Sequence, residues 1–156
     1  GKKYAAGVLA GDMLKGFACI ALGVYFVESV NPFIFGLGSV LGHCFPIYYR
    51  FKGGKGVATF LGSYLGYLIL VPSEKYTENF KLIIFLILLV SFVTIAKLLR
   101  ISALASLFTI VLSGYFVVSD TNDQVVQLAT IFIIFIIIFQ HRSNVQRLFQ
   151  GNENKF

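Results

Sequence analysis

The chain has 156 residues, of which 57% are hydrophobic and 13% charged, with a formal charge of +6 and a mean hydropathy of +0.82. Soluble domains run at roughly 45–50% apolar and about 25% charged residues, so this composition excludes a water-soluble fold and demands an integral membrane protein. Its basic residues lie in short loops between apolar runs, where they set topology, so the positive charge does not mark a nucleic-acid partner.

Crossing a bilayer as a helix takes about 20 mostly apolar residues. Runs at 5–27, 32–49, 57–72, 80–99, 101–119 and 124–141 read as six spans of an all-α, polytopic membrane helix bundle. The length suits one such domain over 1–156 and no second. The second run is rich in glycine and the third is short, which suits partial or tilted crossings. Residues 131–139 are apolar throughout and lack the alternation of a barrel wall.

Charge then orients the bundle. One face carries Lys2, Lys3, Arg50, Lys52, Lys55, Lys97, Arg100, Arg142, Arg147 and Lys155, with Glu153 its single acid. The other carries Glu28, Glu74, Glu78, Asp120 and Asp123 with Lys75 and Lys81. The excess of lysine and arginine places the first face in the cytoplasm. Small residues at i and i+4 suggest close helix packing at Gly7 and Gly11, Gly38 and Gly42, and Gly62 and Gly66. Cys19 and Cys44 form no disulfide framework and no metal-ligand spacing.

Several polar groups interrupt this apolar chain. Asp12 and Lys15 stand three residues apart within the first span, where an unpaired charge is costly, so they read as a neutralising pair. His43 lies at the cytoplasmic end of the second run, either as a site residue or simply bonded to a carbonyl. Phe51-Lys52-Gly53-Gly54-Lys55-Gly56 follows, just ahead of the third span. Its glycines can turn successive N–H groups toward one anion, its lysines add charge, and the next helix adds its positive end. A tight turn carrying ordinary topology-setting lysines explains the same residues. His141 and Asn144 close the last span and share a face if the helix continues; an interfacial helix end is the plainer alternative. No serine elbow or cysteine partner marks a covalent nucleophile.

The string Gly42-His43-x-Phe45-Pro46, then Phe51 through Thr59, then His141-x-x-Asn144-x-x-Arg147-Leu148-x-x-Gly151-x-Glu153, resembles the bacterial acyl-phosphate:glycerol-3-phosphate acyltransferase family. Asp12-x-Leu14-Lys15-Gly16 is similar to that family's second span. The resemblance implies a small helical membrane enzyme of the bacterial inner membrane with its site facing the cytoplasm. Such an enzyme acylates glycerol 3-phosphate from an acyl phosphate, making lysophosphatidic acid by direct attack, and uses no metal or organic cofactor. His141, Asn144 and Lys55 would then be catalytic. Lys52, Gly53, Gly54, Gly56, His43 and Thr59 would bind substrate phosphate, and Asp12, Lys15 and Glu153 would support the site. Family members carry a further N-terminal span, seven in all, and a Ser-Gly-Asn loop ahead of the position of Gly1, so the resemblance implies an N-terminally truncated record. A small anion transporter or a non-catalytic membrane subunit remains the alternative. Acyl-chain preference and oligomeric state are not set by these residues.

Overall fold

The computed structural model describes residues 1–73 and 75–153, and of Lys2 the backbone alone. Glu74, Lys155 and the Lys2 side chain, on which the charge assignment drew, lie outside the described residues. The helices are α1 (Lys2–Phe26), α2 (Phe33–Cys44), α3 (Val57–Leu70), α4 (Glu78–Leu99), α5 (Ser102–Asp120), α6 (Gln124–Gln140) and α7 (Arg142–Phe149), with a 3-10 turn at Ile47–Tyr49. No strand occurs among the described residues.

The bundle is apolar outside and inside, as a bilayer solvent requires. Leu82, Leu86, Val90 and Val93 of α4 and Leu128, Phe132 and Phe135 of α6 face outward. Buried hydroxyls at Thr109, Ser113 and Thr130 donate to carbonyls four residues back, which satisfies them without a partner helix, and Ser63 reaches both the Thr59 carbonyl of its own helix and the Gly36 carbonyl of α2. Helix starts follow ordinary capping chemistry. Asp123 accepts from Val125 N–H at 2.9 Å ahead of α6, and Thr77 accepts from Phe80 N–H at 3.4 Å ahead of α4.

The six expected spans correspond to α1 through α6, but not to six full crossings. Among the described residues three helices, Lys3–Phe26, Glu78–Leu99 and Ser102–Asp120, are long and apolar enough to cross alone, and α6 with α7, bent by 55°, makes a fourth only if the two count as one broken span. The 12 residues of α2 and 14 of α3 rise about 18 and 21 Å, short of a hydrocarbon layer about 30 Å thick. Pro46 explains the early stop of α2: a residue before proline is driven out of the helical region, and Phe45 takes φ −130° and ψ 59°.

The longest interface joins α1 to α3. There Gly16 faces the Thr59 carbonyl and Ser63, and Gly62 faces the Met13 carbonyl, so backbone meets backbone with no room for a methyl group. Gly66 likewise packs on Ile20. Gly7, Gly11, Gly38 and Gly42 face open space instead, so the packing role expected of those two pairs is not found. Spacing alone cannot tell a glycine at an interface from one on the outer face.

Helices alternate in direction, which sorts the connections onto two ends. Gln140 at the end of α6 donates to the Cys44 carbonyl at 3.3 Å, placing it beside the end of α2 and the turn before α3. At the far end, Tyr67 of α3 donates to Asp120 of α5 at 2.9 Å, and Lys81 of α4 donates to the Val71 carbonyl at 2.9 Å.

Candidate active site

The turn between α2 and α3 is held by its own backbone. Gly53 N–H donates to the Cys44 carbonyl and Gly54 N–H to the His43 carbonyl, each at 3.2 Å. This corrects the expected anion cradle: those two amides are already in use. Glycine is needed there for closeness, since a side chain on Gly53 would strike the His43 and Cys44 carbonyls and one on Gly54 would strike the His43 imidazole. Gly56 takes φ +83°, a conformation glycine adopts without strain, and is buried against Cys44 and Val40. The N–H groups of Val57, Ala58 and Thr59, in the first turn of α3, have no carbonyl within the helix to reach, because Phe60 N–H is the first to bond back, to the Gly56 carbonyl.

Two clusters flank this turn. On one side Lys15 Nζ lies 2.5 Å from Asp12 Oδ1 and 2.5 Å from His43 Nδ1. The expected Asp12–Lys15 pair is therefore present, and it reaches 28 residues onward to a histidine. An ammonium only donates, so His43 Nδ1 accepts and the ring proton belongs on Nε2, against Gly54. Lys15, His43, Lys52, Gly53, Gly54 and Tyr48 line an open cavity of about 420 Å³. A second hollow of about 390 Å³ shares Lys15 and His43 and continues between α1 and α2 past Cys19, Ser39, Phe45 and Ile47. Tyr48 and Tyr49, which also lines the first cavity, and the Cys19–Ser39 path carry no motif, and only the packing of α1 on α2 reveals them.

On the other side stand His141, Asn144, Arg147 and Glu153. The last span does not run straight through His141: α6 ends at Gln140, and His141 (φ −91°, ψ 5°) turns the chain into α7. His141 and Asn144 still stay together, 2% and 6% exposed. His141 Nδ1 lies 2.8 Å from the Ile137 carbonyl. Asn144 Nδ2 donates to Glu153 Oε1 at 2.7 Å, and Arg147 Nε donates to Glu153 Oε2 at 2.9 Å. Asn144 Oδ1 is buried without a partner among the described residues.

Lys55 links this second cluster to the turn. It interacts electrostatically with Glu153, Arg147 and His141. Loss of hydration lowers its pKa, Glu153 opposes that shift, and Arg147 adds to it. The Glu153 carboxyl is held below its ordinary range, first by the Asn144 hydrogen bond and then by Arg147 and Lys55. Thr59 is fully buried with its hydroxyl unpartnered among the described residues, and it stands behind the turn instead of on the cavity wall. No group of three metal-ligating side chains occurs among the described residues.

A turn rich in lysine and glycine, a helix start and a buried His/Asn pair thus meet at one end of a membrane bundle. The family model described as glycerol-3-phosphate acyltransferase matches residues 1–151. The chain belongs to this family. A member from Ruthia magnifica subsp. Calyptogena magnifica is 37% identical over 156 residues, covering 99% of this chain and 73% of that relative. One from Exiguobacterium sibiricum is 37% identical over 161 residues, covering 99% and 70%. Two crystal structures of PlsY (YgiH), an integral membrane glycerol 3-phosphate acyltransferase, share the fold over the whole chain. The lysophosphatidic acid form has a TM-score of 0.81 at 33% identity and is covered over 74% of its length. The glycerol 3-phosphate form has a TM-score of 0.79 at 34% identity, covered over 72%.

Proposed function

We propose that residues 1–156 form one integral-membrane domain that transfers a fatty acyl group from acyl phosphate to glycerol 3-phosphate. The products are lysophosphatidic acid and phosphate. The observation that carries this reading is the His141/Asn144 pair, two buried groups with one free acceptor apiece. Because Ile137 takes the Nδ1 proton, neutral His141 has its lone pair on Nε2. Because Asn144 Nδ2 donates to Glu153 and so fixes the amide's orientation, Oδ1 is free to accept from a hydroxyl. Together they suit orienting and deprotonating an alcohol.

An acyl phosphate is a mixed anhydride with a good leaving group, so no enzyme nucleophile is required. The glycerol 3-phosphate hydroxyl oxygen attacks the acyl carbonyl carbon, and its proton passes to His141 Nε2. The bond from carbonyl carbon to phosphate oxygen then breaks, and phosphate departs with the electron pair. Lys55, Lys52 and the first-turn amides of α3 offset the charge on the two phosphates. Holding both substrates in attack geometry can supply about 7–11 kcal/mol of the barrier. The hollow past Cys19, Ser39 and Ile47 offers the acyl tail a path from the turn toward the lipid. Asp12 and Lys15 fix His43, and Glu153 fixes Asn144.

The lysine- and arginine-rich face carries the site, which supports a cytoplasmic orientation in a bacterial inner membrane. The test is to supply the protein, in phospholipid nanodiscs, with glycerol 3-phosphate and either palmitoyl phosphate or palmitoyl-CoA. Lysophosphatidic acid and stoichiometric phosphate should form from the first donor and not from the second. Turnover from the thioester alone would reject the donor assignment.

A further inference from the structure

Two hollows adjoin at Gly42. The first, about 420 Å³, carries the polar groups of Lys15, His43 and Lys52 in its wall. The second, about 390 Å³, is mostly apolar and runs past Cys19, Phe45 and Ile47. Gly42 lines both, together with Lys15 and His43. Lys15 and Cys19 stand one turn apart on α1, and Ser39 and Gly42 stand three residues apart on α2, so each helix offers one stripe to the second hollow. The Ser39 hydroxyl turns back to the Gly36 carbonyl at 2.6 Å, which takes its hydrogen away from that wall.

Neither usual reason for a glycine holds at Gly42. Glycine weakens a helix relative to alanine or leucine, yet Gly42 lies within α2. It has no positive φ, so backbone conformation does not demand it. A methyl group placed there would meet nothing within 4 Å, so close packing does not demand it either. What remains is the empty space in front of it. Gly38, one turn earlier, is equally open but lines neither hollow.

An acyl phosphate carries its anion on one side of a carbonyl and its apolar chain on the other. The phosphate suits the cavity that holds Lys52, and the chain suits the hollow past Cys19. The carbons beside the carbonyl then cross where the two hollows adjoin. We propose that Gly42 is a specificity-determining residue, whose bare backbone lets a long acyl chain pass from the lysine-lined cavity into the hollow between α1 and α2. A side chain at this position would stand in the passage and select against long-chain donors. This deepens the acyl-transfer reading and rests on its donor.

The probe is the β-ketophosphonate analogue of palmitoyl phosphate, in which CH2 replaces the bridging oxygen and acyl transfer is blocked. Its binding to the protein in nanodiscs should weaken by about tenfold or more in Gly42→Leu. The acetyl analogue should bind wild type and variant within about threefold of each other. Gly38→Leu, a matched change on the same helix, should leave both affinities as they are. Unchanged long-chain binding in Gly42→Leu, equal loss of both analogues, or an equal loss in Gly38→Leu would overturn the proposal. So would a wild type that does not bind the long analogue. Leucine favours the helix and nothing occupies the space, so Gly42→Leu should fold; if it does not, Gly42→Val carries the same expectations. Binding needs no turnover. A wild type whose long-chain binding depends on Gly42, but which transfers no acyl group, would reject the reaction and leave the passage standing.

Discussion

His141 Nδ1 lies 2.8 Å from the carbonyl oxygen of Ile137, one turn back along α6. A carbonyl can only accept, so this contact fixes the proton on Nδ1 and leaves the lone pair on Nε2, as the proposed role of a base requires. Nitrogen NMR of the protein at neutral pH should show the Nδ1–H tautomer. His141→Ala should lower kcat by about 100- to 10,000-fold, the usual worth of a positioned base, with fold and thermal stability retained.

Glu153 is gripped by Asn144 and Arg147, and its carboxyl is depressed as a result. A carboxylate with a lowered folded-state pKa adds stability that is fully present above its unfolded pKa. That contribution fades as pH falls below about 4.3 and through the lower folded value. Thermal unfolding in detergent between about pH 6 and pH 3 should therefore show a downward acid limb. Glu153→Gln should flatten that limb and, by releasing Asn144 from its fixed orientation, raise the KM for glycerol 3-phosphate.

Lys55 loses hydration beside Arg147, so its pKa is lower than that of an ordinary lysine. Its positive charge is then lost at a lower pH than an ordinary lysine's. Glycerol 3-phosphate binding should weaken on the alkaline side at a lower pH than a free lysine would give. Lys55→Arg, whose guanidinium stays charged above about pH 12, should move that alkaline limb upward even if it lowers the neutral-pH rate. An identical limb in both proteins would remove Lys55 as its source.

Gly54 has no room for a methyl group because the His43 imidazole sits on it. Gly54→Ala should loosen the turn and cut kcat/KM by roughly tenfold or more, since small misplacements at a site are costly. His43→Ala creates the missing space. The double variant should therefore be more stable than the sum of the two single effects, read as coupling in thermal unfolding.

Much of this arrangement is readable from residue order. Apolar runs and charge asymmetry give six alternating helices, and alternation alone brings Lys55 and His141 to the same end. What escapes is set by tertiary geometry. The stop at Cys44 depends on Pro46, which the hydropathy of 32–49 passes over. Gly53 and Gly54 look like free donors until their pairing with Cys44 and His43 is seen. The Lys15–His43 contact joins residues 28 apart on different helices, and no local pattern encodes it. The free oxygen of Asn144 becomes meaningful only because Glu153 folds back from beyond α7.

The central claim is that the turn at 52–56 and the His141/Asn144 pair work as one pocket. A double-mutant cycle of Lys55→Ala and His141→Ala tests it, reading glycerol-3-phosphate-dependent phosphate release from acyl phosphate, with Lys75→Ala at the far end as control. One pocket predicts that each single variant loses about 100-fold or more in kcat/KM, that the double variant is little slower than the worse single, and that the control is unaffected. Near-normal turnover in either single variant, or losses that simply multiply, would contradict the claim.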